Sequence, residues 1–233
     1  MLSNAQIKLI RSLREKKFRD AEGLFVVEGE KMVREALASE FEVLAVVRKE
    51  EVGENVMSRI SSLSTPSPVL AVVRQRAMAA LPPPGGLCLA LDAVRDPGNL
   101  GTILRTADWF GADVVYASPD TAELYNPKVI QASMGAIFRK SLIYCDLPSL
   151  CGSFSKAGLK VFGTFLGGDD VYGTSLPTEG LIVMGNEANG ISPQVSAGVT
   201  VRLTIPSFAK GPTAESLNVA AATAVILSEF KRR

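Results

Sequence analysis

The sequence predicts an α/β protein built as two units, and three observations carry that expectation. Short apolar runs alternate along the chain with segments of helical periodicity, the order of a sheet wrapped by crossover helices. Most apolar runs in the C-terminal part are continuous, as parallel strands covered on both faces require. Leu81-Pro82-Pro83-Pro84-Gly85-Gly86 interrupts the pattern, because three prolines forbid a helix and two glycines follow. Residues 82–86 therefore read as a linker between a first domain, 1–81, and a second, 87–233.

In the first domain Ile7, Ile10 and Leu13 recur at helical spacing within residues 4–17, with basic residues between them. Leu24-Phe25-Val26-Val27 is a short strand. Gly29 opens a helix carrying Met32, Val33, Ala36 and Leu37. Val43 to Val47 is a second strand, residues 52–61 read as helix, and Val69 to Val73 is a third strand. In the second domain strands are expected at 87–92, 113–117, 160–165, 181–184 and 200–205. Helices are expected at 98–110, 126–134, 146–157 and 215–231. Ser216 or a neighbour caps the last of these, and Lys231-Arg232-Arg233 complements its dipole. Strands and helices in that order argue for a parallel sheet with right-handed crossovers. Such sheets bind ligands beyond the carboxyl ends of their strands, so the loops after strands are where chemistry belongs.

Composition narrows that chemistry. Of 233 residues, 47% are hydrophobic and 21% charged, the balance of a globular chain with a real core. There is no histidine, so the commonest general base and metal ligand is missing, and Arg, Lys, Asp, Glu, Ser, Tyr, Asn, Cys or the backbone must act instead. Cys88, Cys145 and Cys151 fit no zinc spacing and are odd in number, so neither a metal site nor a disulfide framework is expected. That usage suits a reducing, cytoplasmic compartment. No charge-free apolar run is long enough to span a membrane, and MLSNAQIKLIRSLREKK has no secretory signal pattern. The net charge of +1 leaves nucleic acid open as a partner.

Three loops carry unusual residues. Asp96-Pro97-Gly98-Asn99-Leu100-Gly101 leads into a helix with Thr102 and Arg105. It reads as a capped strand-to-helix turn or, with a helix N-terminus and an arginine, as an anion site. Strand 181–184 runs into Gly185-Asn186-Glu187-Ala188-Asn189-Gly190, which is either a solvated turn or a loop whose glycines let backbone approach a ligand. Strand 200–205 is followed by Pro206-Ser207-Phe208-Ala209-Lys210-Gly211-Pro212-Thr213-Ala214-Glu215-Ser216-Leu217-Asn218-Val219. This is a capped terminal helix, but capping leaves unexplained why Ser216 and Asn218 flank a buried-looking Leu217.

Taken in order, these stretches resemble the SPOUT superfamily of RNA methyltransferases, in its SpoU/TrmH branch of ribose 2′-O-methyltransferases. The residues that carry the resemblance are Asp96 to Gly101 with Arg105, Met184 to Gly190, and Ile205-Pro206 with Glu215 to Val219. Asn126 to Ala136 also matches. Phe25 to Gly29 with Arg34-Glu35-Ala36 is similar to the family's N-terminal substrate-binding domain. The chain departs from many relatives in being about two residues longer between Pro206 and Ser216.

The resemblance implies a small N-terminal α/β RNA-binding domain and a C-terminal parallel-sheet SPOUT domain with a deep trefoil knot. It also implies a homodimer with its sites at the subunit interface and S-adenosylmethionine as cofactor. Carried onto this sequence, the backbone at Gly185, Ile205 and Leu217 contacts the cofactor; Met184 and Gly190 complete the pocket and Thr164 lines it. Arg105 positions the RNA phosphate and the reacting hydroxyl, while Asn99, Glu187, Ser216 and Asn218 orient the groups around it. The expected activity is 2′-O-ribose methylation of ribosomal RNA. Transfer RNA is the alternative substrate, and a non-catalytic RNA-binding scaffold the alternative from another class. A nucleotide-binding oxidoreductase lacks its Gly-x-Gly-x-x-Gly after either first strand. Lys8, Arg11, Arg14, Lys16, Lys17 and Arg19 form a basic stretch that tracks RNA phosphates or is simply a solvated face.

Overall fold

The computed structural model describes residues 2–77, 79–212 and 214–232. Two sheets organise the chain. The first has three antiparallel strands in the order β1 (Leu24–Glu28), β3 (Val69–Arg74), β2 (Val43–Arg48). The second has six parallel strands in the order β6-β5-β4-β8-β7-β9, where β4 is Leu87–Leu91, β5 Val115–Ala117, β6 Leu142–Tyr144, β7 Val161–Asp170, β8 Gly180–Met184 and β9 Val201–Thr204. The described residues from 75 to 86 carry no helix or strand.

The predicted first helix is broken in two, α1 (Asn4–Ser12) and α2 (Lys16–Glu22). The break has a visible cause. Arg19 is only 3% exposed, and its guanidinium donates to the Leu13 and Arg14 carbonyls at 3.0 and 2.7 Å. It thus satisfies carbonyls that the end of a helix leaves unpaired. The helix expected at 52–61 is α5 (Glu54–Ile60), and Gly53, with φ +81°, sets it off from a preceding short helix, α4 (Lys49–Val52). With α3 (Glu30–Leu37), these helices cover both faces of the first sheet.

In the second unit strand residues alternate between two cores. Leu87, Leu89 and Leu91 of β4 point to the side of α6 (Pro97–Trp109) and α10 (Val219–Lys231). Cys88 and Ala90 point to the side of α8 (Leu147–Lys156) and α9 (Pro193–Ser196). Burial pushes the thiols of Cys88, Cys145 and Cys151 up to about 11, which makes them poor nucleophiles near neutrality.

Three expectations need correcting here. Strand β6 lies outside the expected strands, because three residues give no readable period. Strand β7 runs on to Asp170: after an irregularity between Thr164 and Asp169 it pairs again with β9. Helix α10 starts at Val219, not 215, because the Asn218 side chain caps it by accepting from the Ala220 and Ala221 amides. Of the predicted basic trio at its end, Arg233 lies outside the described residues, and Arg232 pairs with Glu229.

The first sheet shares its core with α7 (Pro127–Ser133) and the segments around it in the second unit. Ile130 of α7 and Phe138 pack with Phe25, Val27 and α3, and Tyr125 sits over Phe25 with ring centroids 4.6 Å apart. Ion pairs Arg19–Glu123 and Arg139–Glu35 bridge the same seam. Helices α6 and α7 meet at Gly101, where a Cβ would lie 2.5 Å from the Val129 carbonyl oxygen and 2.6 Å from the Ala132 Cβ. Gly101→Ala is therefore expected to cost about 1–3 kcal/mol through overpacking. Urea denaturation measures it; an unchanged midpoint would show that the two helices can part freely.

Candidate functional site

The carboxyl ends of the parallel strands gather the loops that the sequence singled out. Asp96 caps α6 by accepting from the Asn99 amide at 2.8 Å, which fixes Asn99 in the first turn of the helix that follows β4. The Asn99 side chain then joins the other two loops. Its Nδ2 donates to Glu187 Oε1 at 2.5 Å, and its Oδ1 accepts from Asn218 Nδ2 at 2.9 Å. Residues 88 and 119 positions away are thereby held in one polar relay.

The loop carrying Glu187 closes on itself. Asn186 and Gly190 exchange backbone hydrogen bonds at 2.9 Å in both directions. The Asn186 side chain accepts from the Ala188 and Asn189 amides and donates to the Ala93 carbonyl at 2.7 Å. Gly185 sits inside this ring: a Cβ there would lie 2.3 Å from the Gly190 carbonyl carbon and 2.4 Å from the Ile191 nitrogen. Beside it, Thr164 Oγ1 donates to the Val183 carbonyl at 3.2 Å and touches Met184 Sδ at 3.7 Å. Ile205 leans on the core below, and Met184 is buried in it.

Asn99, Glu187 and Asn218 thus come together, as do Thr164, Met184, Gly185 and Gly190. Others do not join them. Arg105 is exposed and forms no hydrogen bond or ion pair with any described residue. It lies six positions beyond Asn99, about 9 Å along the axis of α6 and about 120° around it. Ser216 is exposed and neither caps α10 nor bonds to the relay. Leu217, expected to be buried, is 54% exposed, an apolar side chain at the mouth of the site.

The basic stretch is divided by the fold. Arg19 is a buried tie to Glu123 at 2.5 Å and not a surface cation. Arg14 donates to the Arg59 and Ser61 carbonyls, Lys16 pairs with Asp20, and Lys17 pairs with Glu15. Lys8 and Arg11 are exposed and unpaired among the described residues.

Sequence reading missed a second cluster on the other side of the loop. Ala93 has φ +57°, an uncommon conformation for a residue with a Cβ. Its amide donates to Ser118 Oγ at 2.8 Å and its carbonyl accepts from Asn186. Ser118 also donates to Asp120 at 2.6 Å; this bond, aided by the Arg95 guanidinium, holds the Asp120 carboxyl below its usual range. Asp92, 5% exposed, accepts from the Ser192 amide at 2.6 Å. The position of Asp92 at a strand end was the one available signal. Among the described residues no helix is long and apolar enough to cross a membrane, and no cluster of potential metal ligands occurs.

Comparison with known proteins gives concordant matches. The model of the SpoU rRNA Methylase family matches residues 86–228, and that of the MRM3-like substrate binding domain matches residues 4–52. The chain is 31% identical to the Bacillus subtilis 23S rRNA (guanosine(2553)-2′-O)-methyltransferase RlmP, over 98% of this chain and 96% of that one. Among solved structures, a TrmH-family protein from Porphyromonas gingivalis is 42% identical with a TM-score of 0.89, covering 100% of this chain and 99% of that one. An AdoMet-bound rRNA methyltransferase from Sinorhizobium meliloti is 30% identical with a TM-score of 0.86, covering 100% and 96%.

Proposed function

We infer, from the premise that this chain belongs to the SpoU rRNA methylase family, that it methylates a ribose 2′-hydroxyl of ribosomal RNA with S-adenosylmethionine. The observation that carries the reading is the Asn99–Glu187–Asn218 relay beside the closed 185–190 loop. The residues fit the cofactor. The ring around Gly185 has no room for a Cβ, so only bare backbone lines it, and Leu217 and Ile205 leave apolar surface for an adenine to cover. When bound, S-adenosylmethionine supplies a sulfonium-activated methyl group.

The work left to the protein is positioning, which contributes roughly 7–11 kcal/mol in favourable cases. Glu187 and Asn218 orient the ribose around Asn99. Arg105 holds the neighbouring phosphate and the 2′-hydroxyl, and a phosphate oxygen serves as the proton acceptor. Arg105 lies about 120° around α6 from Asn99 and bonds to no member of the relay of its own chain. We therefore place it in the site of a second copy, in a homodimer whose α6 helices lie near the interface. The division at residues 82–86, a trefoil knot formed by the C-terminal loops and a cytoplasmic location belong to the same reading. Lys8 and Arg11, rather than Arg19, are the cations of the first unit that would meet RNA phosphates.

Calorimetry with S-adenosylmethionine, followed by mapping of methylated nucleotides in RNA from cells with and without the protein, tests this. Cofactor binding and loss of one 2′-O-methyl mark in 23S-type RNA are expected. Absence of cofactor binding would favour a scaffold, and a lost mark in transfer RNA would move the substrate.

A further inference from the structure

We propose that the cavity on the far side of the 185–190 loop is a base-recognition site that takes a guanine of the RNA substrate. The cavity is half-open, about 380 Å³, and lies beyond the ends of β4, β5 and β8. Its volume is in the range of small-molecule sites. Asp92, Ala93, Arg95, Asp120, Asn189 and Ser192 line it. It lies across the 185–190 loop from the surface formed by Thr164, Gly185, Ile205 and Leu217, with Gly190 on the wall between them, because β7 and β9 lie on the opposite side of β8 from β4 and β5.

The walls are built rather than incidental. Ala93 holds a left-handed conformation that costs a residue with a Cβ roughly 1–2 kcal/mol. Both of its backbone groups are tied, one to Ser118 and one to Asn186. The floor is a carboxylate. Asp92 is more than nine-tenths buried, yet only its Oδ2 is used, by the Ser192 amide. Its Oδ1 has no hydrogen-bond partner among the described residues, while the side chain lines the cavity. That oxygen is an acceptor open to the cavity, placed to meet a donor that enters there.

The pattern on offer is an anionic acceptor in the floor and a guanidinium, Arg95, at the rim. Guanine matches it best. Its N1–H and N2–H₂ are adjacent donors with no lone pair between them, and its O6 and N7 accept from arginine. In adenine the amino donor is flanked by ring-nitrogen acceptors, and cytosine brings a carboxylate a single amino group where guanine brings two adjacent donors. In uracil the single N–H lies between two keto oxygens. The assignment rests on the methyltransferase reading for the polymer that carries the base. Asn186 and Glu187, neighbours in one loop, would then hold the base pocket and the ribose relay in fixed register.

The test is a titration of the full chain with guanosine, adenosine, cytidine and uridine 5′-monophosphates, followed by NMR. Asp92→Asn, Arg95→Ala and S-adenosylmethionine affinity are measured alongside. Guanosine monophosphate is expected to bind roughly tenfold or more tightly than the other three, and Asp92→Asn to remove that preference. Arg95 is an exposed rim residue, so Arg95→Ala keeps the fold and is expected to weaken guanosine monophosphate severalfold. The expected spectral changes fall on residues 92–95, 118–120 and 189–193. Equal binding of all four nucleotides, no binding, or an Arg95→Ala chain that binds like the parent overturns the proposal. Cofactor affinity keeps the two readings apart. Its loss in the parent chain sinks the methyltransferase reading alone, and nucleotide indifference sinks the pocket alone.

Discussion

Replacing Arg105 by alanine is expected to slow methyl transfer by about 10²–10³-fold, the usual effect of removing one preorganised charge-stabilising donor. The melting temperature and S-adenosylmethionine affinity should stay put, because Arg105 is exposed and no described residue bonds to it. Near-normal transfer by the variant would remove Arg105 from the chemistry. A mixed dimer decides which site the residue serves. One chain carries Arg105→Ala and the other Glu187→Ala. If Arg105 works in the partner's site, one of the two sites keeps both residues, and about half the parental activity remains. If it works in its own chain, each site lacks one residue, and activity stays at or below the level of the single variants.

Gly185→Ala should act on the cofactor instead. The new Cβ would fall 2.3–2.7 Å from the Gly190 carbonyl and the Ile191 nitrogen, all of them backbone atoms with no side chain to swing aside. The ring must open, and the paired Asn186–Gly190 hydrogen bonds at 2.9 Å go with it. A roughly 100-fold loss of S-adenosylmethionine affinity is expected, about 2.7 kcal/mol. Gly190→Ala is the informative control. That position has φ +68° but nothing within 4 Å of a Cβ, so strain of roughly 1–2 kcal/mol is the whole cost and the ring stays closed. Calorimetry on both variants reads the difference. Equal effects would show that the close approach at Gly185 does not shape the pocket.

Much of the site is legible in the order of residues alone. Asp96 and Asn99 at the start of α6, the Gly185 to Gly190 loop and Asn218 before α10 all fall just after strands, where the order of apolar runs places them. The residues that sequence reading loses are those whose state depends on a distant partner. Arg19 looks like one more cation in a basic run, but Glu123 lies 104 positions away and turns it into a buried tie. Leu217 has the spacing of a core residue and stands 54% exposed. Asp92 reads as the end of a strand, yet the Ser192 amide, 100 positions on, takes one of its oxygens and leaves the other facing a cavity.

The α/β alternation, the parallel character of the second sheet and the three loops of the candidate site can be read from the order of residues. These follow from local causes: apolar periodicity, the φ limits of proline and glycine, and short-range capping. Which residues in those loops meet depends on long-range packing. Hydrogen bonds across 88, 93 and 119 positions brought Glu187 to Asn99, Asn186 to Ala93 and Asn218 to Asn99. The same assembly sent Arg105 to the outer face of α6, six residues past Asn99. A strand order that places β8 between β4 and β7 puts one surface on each side of a single loop, and no local pattern encodes that order.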